Sequence, residues 1–471
     1  MAQSIDVVSE DPIEPVDRFV TTQRPGPLGH PRGLWVLSGT ELWDRISWHG
    51  MVSMLVLYMT GELLRPDRVV HVAGWTSYHA MLTRTFGTMS DTAIATQTFS
   101  LYFAGITFLP LIGGWLGDRV ITRRTGVTIG ALTMTLGHFL MAFDATFLAA
   151  LVALMLGAGL LRGNLSPQIR ALYAAGDRRL GEAFQVYNMA VNLGAFIAPL
   201  VCSTMAKYYG WHAGFAVAGF GMLIGLVWFL AGSRDLPPQP PRSDPRAHAP
   251  MTAADRRNIV ALLLIWPFSV AFWSSQAQIW NVYNLWVRDH VDMTVGSFAV
   301  PVPWLQSLDG LAPAVFIPLL LFTFRAMARR GVEPDILVKM AWGSLLFATT
   351  MLLLAAAPLF SAAGGRAPIW LPIAFHLGSN AGAACFAPYV QSLFAARAPE
   401  RLRGTMLGVY ALSVTAASLI SGPMGNWYTS VTPTQFWIAS AGFAGIGGAL
   451  LLLIARPLRR WMGPDSETAP V

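Results

Sequence analysis

The chain has 471 residues, of which 54% are hydrophobic and only 12% charged, against about 25% charged in a soluble domain. That balance excludes a soluble globular protein and predicts an all-α membrane protein. The formal charge of +7, from 32 Lys and Arg against 25 Asp and Glu, does not signal nucleic acid, because the basic residues lie in short connectors and form no basic domain.

Residues 1–33 are polar, acidic at the start and contain proline; they lack the form of a cleaved signal peptide and read as a disordered tail. Apolar stretches of about 20 residues follow at 34–63, 92–116, 124–143, 145–174, 183–207 and 213–232. Six more follow at 257–288, 300–327, 335–357, 368–395, 404–427 and 434–455. Between the two sets, 233–257 holds Pro237, Pro238, Pro240, Pro241 and Pro245 with several Arg, and reads as a linker. The expected organisation is therefore a bundle over 34–232, a linker over 233–257, a second bundle over 258–456 and a tail over 457–471. Six spans plus six is the layout of a two-bundle transporter with its site between the halves near mid-membrane.

The even connectors carry Arg119, Arg123, Arg124, Arg178, Arg179, Arg234, Arg325, Arg329, Arg330, Arg397, Arg401 and Arg403. The odd connectors are poor in Arg and Lys, except the first, with Arg65, Arg68 and Arg84. Both termini are therefore expected in the cytoplasm. Cys202 and Cys385 lie far apart in apolar segments, so neither a disulfide framework nor a metal site is expected. No cofactor is expected either.

The first span carries Glu41, Asp44, Arg45, Trp48 and His49. At 100° per residue these fall within an arc of roughly 140°. A charge at the bilayer centre costs about 2.5–3.5 kcal/mol, so this face should meet a polar cavity between helices. Carboxylates three residues apart in low dielectric cannot both stay ionised cheaply. Arg45 favours their charged form, and an arriving proton or solute carboxylate can switch the pairing. The competing reading is a static ion network that holds the first helix in place.

Between the second and third spans, Gly113-Gly114-Trp115-Leu116-Gly117-Asp118-Arg119 is followed by Arg123-Arg124. This resembles the cytoplasmic loop motif of the major facilitator superfamily, which implies a gating and topological role for Gly114, Asp118, Arg119, Arg123 and Arg124. A narrower resemblance is to the proton-dependent oligopeptide transporter family, whose first helix reads E-x-x-E-R-F-x-Y-Y-G. Glu41-Leu42-Trp43-Asp44-Arg45-Ile46-Ser47-Trp48-His49-Gly50 lies over it without a gap. Asn192-Leu193-Gly194-Ala195-Phe196, Gly210-Trp211-His212-Ala213-Gly214-Phe215, Phe272-Trp273, Trp304-Leu305-Gln306-Ser307-Leu308 and Lys339-Met340-Ala341-Trp342-Gly343 resemble later motifs of the family, in order.

The resemblance implies a major facilitator fold of twelve helices in two six-helix bundles, located in the plasma membrane (the bacterial inner membrane). It also implies proton-coupled symport of di- or tripeptides, by a chain expected to be monomeric and not an enzyme. Proton coupling would fall to Glu41, Asp44 and Arg45, with His49 and Asp309, where this chain departs from the family, as further candidates. The solute would meet Arg45, Trp48, Arg162, Asn164, Tyr187, Gln278, Asp309 and Tyr410. Arg162 matches the family's fourth-helix basic residue and could instead snorkel to an interface.

The site also departs from the family. The seventh- and tenth-helix glutamates fall at Ala277 and about Ala383, the eighth-helix asparagine at Asp309, the paired tyrosines at Trp48 and His49, and the eleventh-helix tryptophan at Tyr410. Asp309 could replace the lost acids or be a wetted helix-end residue. His138 and His376 lie in spans three and ten and are expected to be satisfied by neighbouring helices. Because amine recognition is weakened more than anion recognition, a same-fold carrier of nitrate, another anion, a carboxylate metabolite or an amino acid is the alternative function.

Overall fold

In the computed structural model, residues 23–174, 176–238, 251–361 and 365–463 are described. Among them, twelve helices have 18 or more residues. In the first half these are α1 (Arg32–Tyr58), α2 (Asp91–Arg119), α3 (Arg123–Leu140), α4 (Phe147–Leu165), α5 (Arg179–Tyr209) and α6 (Trp211–Gly232). In the second they are α7 (Ala253–Ala277), α8 (Ser307–Arg329), α9 (Ile336–Ala355), α10 (Trp370–Arg397), α11 (Arg403–Tyr428) and α12 (Pro433–Met462). Nine of the twelve are long and apolar enough to cross a bilayer; α1, α3 and α10 fall short. In α1 the shortfall comes from Glu41, Asp44 and Arg45.

Within the first half α1 packs on α5 and α6, and α4 on α2 and α3; within the second, α9 packs on α10 and α12, and α7 on α11 and α12. The halves meet through α2 against α11 and α5 against α8. Glycines permit these approaches. A Cβ on Gly310 of α8 would stand 2.3 Å from the Phe196 amide nitrogen of α5, and one on Gly422 of α11 would stand 2.3 Å from Gln97 Oε1 of α2.

The seventh apolar stretch is not one rod. Helix α7 ends at Ala277, a 3-10 turn covers Gln278–Trp280, and Asn281 leaves helical geometry (φ −112°, ψ −102°) before a short helix, Val282–His290. The first connector contains a further helix, Trp75–Phe86. The far face, opposite the chain ends, also carries small strands outside the all-helical expectation: Val291–Asp292 with Ala367–Pro368, and Thr294–Val295 with Phe298–Ala299.

Residues 23–31, expected in the tail, pack on the bundle instead: Gln23 Nε2 donates to the Leu172 carbonyl at 2.8 Å, and Arg24 lies 4.0 Å from Asp235. The start of the linker is held too, since Arg124 donates to the Leu236 and Pro237 carbonyls. Pro240, Pro241, Pro245 and most of both predicted tails lie outside the described residues. In the loop before α5, hydrogen bonds from the Arg179 guanidinium and amide hold the Asp177 carboxyl below the usual carboxylate range.

The Arg-rich first connector has a local explanation. Arg68 contacts Glu62 and lies 2.6 Å from Asp144, which also accepts from Tyr58 at 2.6 Å.

Candidate functional site

The polar face of α1 points inward. Glu41 and Asp44 are buried, 2% and 0% exposed. Arg45 Nε donates to Glu41 Oε1 at 2.6 Å, one helical turn away, and its Nη2 lies 3.4 Å from Asp44 Oδ2. From α4, Arg162 grips the same carboxylate with a fork: Nε to Asp44 Oδ2 at 3.1 Å and Nη2 to Oδ1 at 3.3 Å. From α5, the Tyr187 hydroxyl donates to Glu41 Oε2. Gly194 of α5 lets the two helices close here, since a Cβ on it would sit 2.6 Å from the Arg45 Cβ. Two carboxylates and two guanidiniums thus form one chain across α1, α4 and α5, balanced in formal charge.

Trp48 underlies both cations, with the Arg162 guanidinium 4.8 Å and the Arg45 guanidinium 5.5 Å from its ring. Such contacts are worth about 2 kcal/mol when desolvated. His49 packs on Trp48 at 4.4 Å and on Trp280 at 5.2 Å. Trp280 belongs to the second half, so the charged chain reaches the seam through these rings. The His49 imidazole lies among indoles, and its Nδ1 has no partner.

The other predicted positions separate. Asn164 is fully buried and donates to the Gly113 carbonyl at 2.8 Å, tying α4 to α2. It fills the space left by Gly117 and Gly126, where a Cβ would stand 1.6 and 2.7 Å from its side chain. Asn164 is therefore a helix-contact residue in this structure, away from the charged chain. Gln278 is likewise enclosed, donating to Ser421 Oγ at 3.1 Å on α11. Tyr410 packs within the second half, 5.7 Å from Phe394.

In the loop motif, Arg123 donates to Asp118 at 2.8 Å, Arg119 lies over Trp115, and a Cβ on Gly114 would come within 3.2 Å of the Gly163 carbonyl. Asp309, on α8, accepts from His376 Nδ1 at 2.8 Å and Asn380 Nδ2 at 2.7 Å, both on α10. Asp309 does stand in the first turn of α8, as the helix-end reading has it, but its side chain is only 11% exposed and is held by α10 rather than wetted. His138 also departs from expectation: it is 1% exposed, and neither ring nitrogen has a partner.

Several seam residues were not among the predicted site positions, although Trp304 and Gln306 belong to a family-like motif. Asn281 donates to Thr96 O at 3.3 Å and Ser421 Oγ at 3.1 Å, bridging α2 and α11. Asn284 donates to Ser53 O at 3.3 Å and accepts from Gln306 at 2.7 Å. Arg288 donates to Thr60 at 2.9 Å, Lys207 to the Ala299 carbonyl at 2.5 Å, and Trp304 to Thr204 at 3.2 Å. These bridges gather toward the far face and pin the halves together there. Their amides and hydroxyls are common in any helix; the break at Asn281 brings the side chains of Asn281, Asn284 and Arg288 to the first half.

Comparison with known proteins fits this architecture. The peptide transporter YePEPT of Yersinia enterocolitica subsp. palearctica is 26% identical over 92% of this chain and 96% of its own. A di-/tripeptide transporter of Lactococcus lactis subsp. cremoris is 24% identical over 93% and 97%. The crystal structure of a peptide transporter POT in complex with sulfate superposes with a TM-score of 0.83 at 25% identity, covering 95% of this chain and 99% of that one. A mutant POT in complex with alafosfalin gives the same TM-score and identity. The sequence profile of the POT family matches residues 124–250 and 246–438. An integral membrane chain with this fold and these relatives is a transporter and not an enzyme, and it belongs to the POT family.

Proposed function

We propose that the chain is a proton-coupled symporter of di- and tripeptides or peptide-like small solutes, working by alternating access in the bacterial inner membrane with both termini cytoplasmic. The observation that carries this reading is the buried chain Glu41–Arg45–Asp44–Arg162 at the seam. While both acids are ionised, each guanidinium is occupied. A proton on either acid frees part of a guanidinium, which then offers its fork to the carboxylate of a solute. Two unit charges 4 Å apart interact by about 4 kcal/mol at an effective dielectric of 20, so one proton is enough to redirect the network. Each proton moved inward releases about 2.3 kcal/mol per 100 mV.

Opening at the far face must break the Asn281, Asn284, Arg288 and Lys207 bridges. A neutral hydrogen bond is worth about 0.5–1.5 kcal/mol net, so a solute that bridges the halves can offset the loss. The relatives named as peptide transporters, and the neighbour that holds alafosfalin, support a solute of peptide type.

A second reading, carriage of an anion or amino acid, draws on Ala277, where the family resemblance expects an acid, and on Asp309 Oδ2, which is buried and meets no solvent. Neither offers a ready contact for an amine. Proteoliposomes with an inward proton gradient separate the two. Dipeptide uptake should exceed that of free amino acids and nitrate; an anion moving while dipeptides do not reverses the assignment. Asp44→Asn should abolish gradient-driven uptake and spare counterflow exchange, and undiminished driven uptake removes Asp44 from coupling.

A further inference from the structure

The second half holds a polar cluster that the charged chain on α1 does not use. His376 is 0% exposed. Its Nδ1 lies 2.8 Å from Asp309 Oδ1; an ionised carboxylate can only accept, so with Asp309 charged Nδ1 carries the hydrogen and Nε2 the lone pair. That Nε2 has no partner, nor do Asp309 Oδ2 and the Tyr283 hydroxyl. Tyr283 lies edge-on to the imidazole at 5.1 Å, Phe375 at 5.5 Å, and Asn380 supplies the second bond to Asp309 Oδ1. The structure assigns Asp309 and His376 as a second proton-carrying site, in which His376 Nε2 takes the proton and Asp309 holds the imidazolium.

The titratable groups in contact with the imidazole are Asp309 of α8 and Tyr283 of the short helix; on α10 itself the contacts are the neutral Phe375 and Asn380. Lys339 of α9 is held elsewhere, by Glu333 at 2.6 Å. One proton adds to the Nε2 lone pair without breaking the bond at Nδ1, and leaves by the same atom. A buried imidazole held by an acceptor at one nitrogen, with an unpartnered lone pair at the other, has the geometry for that exchange.

Depth supports a separate role. Asp309 lies seven residues into the Val302–Arg329 segment and His376 six into α10, each about 10 Å of helix rise from the far face. Asp44 lies twelve residues into α1 from the opposite face, about 18 Å along it. A proton entering from the far face thus meets the Asp309–His376 pair in one half before the α1 acids in the other.

This inference rests on the symport reading, and the test separates the two. Wild type, His376→Gln and Asp309→Asn are reconstituted and given dialanine with and without an inward proton gradient. Thermal unfolding in detergent is followed from pH 5 to 8. His376→Gln should lower gradient-driven uptake at least tenfold and flatten its pH dependence, while counterflow exchange stays within twofold. The unfolding curve of the wild type should step with pH where both variants do not.

Driven uptake with an unchanged pH profile in His376→Gln, or equal loss of driven uptake and counterflow, overturns the assignment. If His376→Gln does not fold, Asp309→Asn decides by its unfolding curve: a step like the wild type's overturns the site, and a lost step supports it. A wild type that steps with pH yet shows no driven uptake retires the symport reading and leaves the proton site standing.

Discussion

Arg162 shows how much one side chain settles at this site. It closes the charge balance, since without it Asp44 keeps only the 3.4 Å contact with Arg45. It also lies over Trp48, which joins the charged chain to the seam. Truncating one member of a buried ion pair costs about 3–5 kcal/mol, because the other charge is left unpaired. Arg162→Ala should therefore lower the unfolding midpoint in detergent markedly. Arg162→Lys keeps the charge but loses the fork; it should recover most of the stability and little of the solute affinity, read as a raised KM for dipeptide. Full recovery of both would mean that Arg162 acts as a point charge alone. The acids and Arg45 were legible from the helical period of one span. Arg162 was legible only by resemblance, because no local pattern says that residues 118 positions apart will meet.

At the scale of helices, the seam is set by the absence of side chains. Gly310 follows Asp309 and lies directly on the α5 backbone, with Asn192 O 2.6 Å and Phe196 N 2.3 Å from where a Cβ would stand. Gly310→Ala cannot fit without parting α5 from α8. It should lower transport in both directions while leaving the Glu41–Arg45–Asp44 chain and its own half folded. The check is a near-native unfolding midpoint together with raised hydrogen exchange in Lys207 and its neighbours. An unaltered transport rate would show that the contact opens freely.

Sequence patterning recovered all twelve helices, because length and apolarity are local. It did not separate Asn164 from the charged chain, because Asn164 lies two positions from Arg162 in the sequence while the helix turns it toward Gly113, Gly117 and Gly126. It also could not foresee the break at Asn281. Nothing in Gln278-Ile279-Trp280-Asn281 forbids a helix; the buried partners on α2 and α11 reward leaving one.

For the whole molecule, the far-face bridges hold the two halves together in this structure. Asn284 accepts from Gln306 and reaches Ser53 in the other half. Asn284→Ala leaves Gln306 with one acceptor, Ile279 O, and should shift the balance toward far-face opening by about 1–3 kcal/mol. The measurement is faster amide exchange in Val282–His290 with α7 unchanged; equal exchange rates would mean that the halves are held by packing instead.

The break at Asn281 bears on how such an opening can proceed. Beyond it, Val282–His290 is fastened to the first half at Ser53 of α1 and at Thr60 in the π-helical turn Met59–Leu63 that follows it, while α7 before it is fastened to α11 and α12 in its own half. An unbroken rod would have to surrender every one of those ties whenever its half swung away. A rod jointed at one residue can give up the helical geometry it has already lost, let its outer piece travel with the first half, and release it late. The outer piece is then a latch whose timing is set by a single non-helical amide, and stiffening that joint should change when the far side unlocks more than how tightly it is shut.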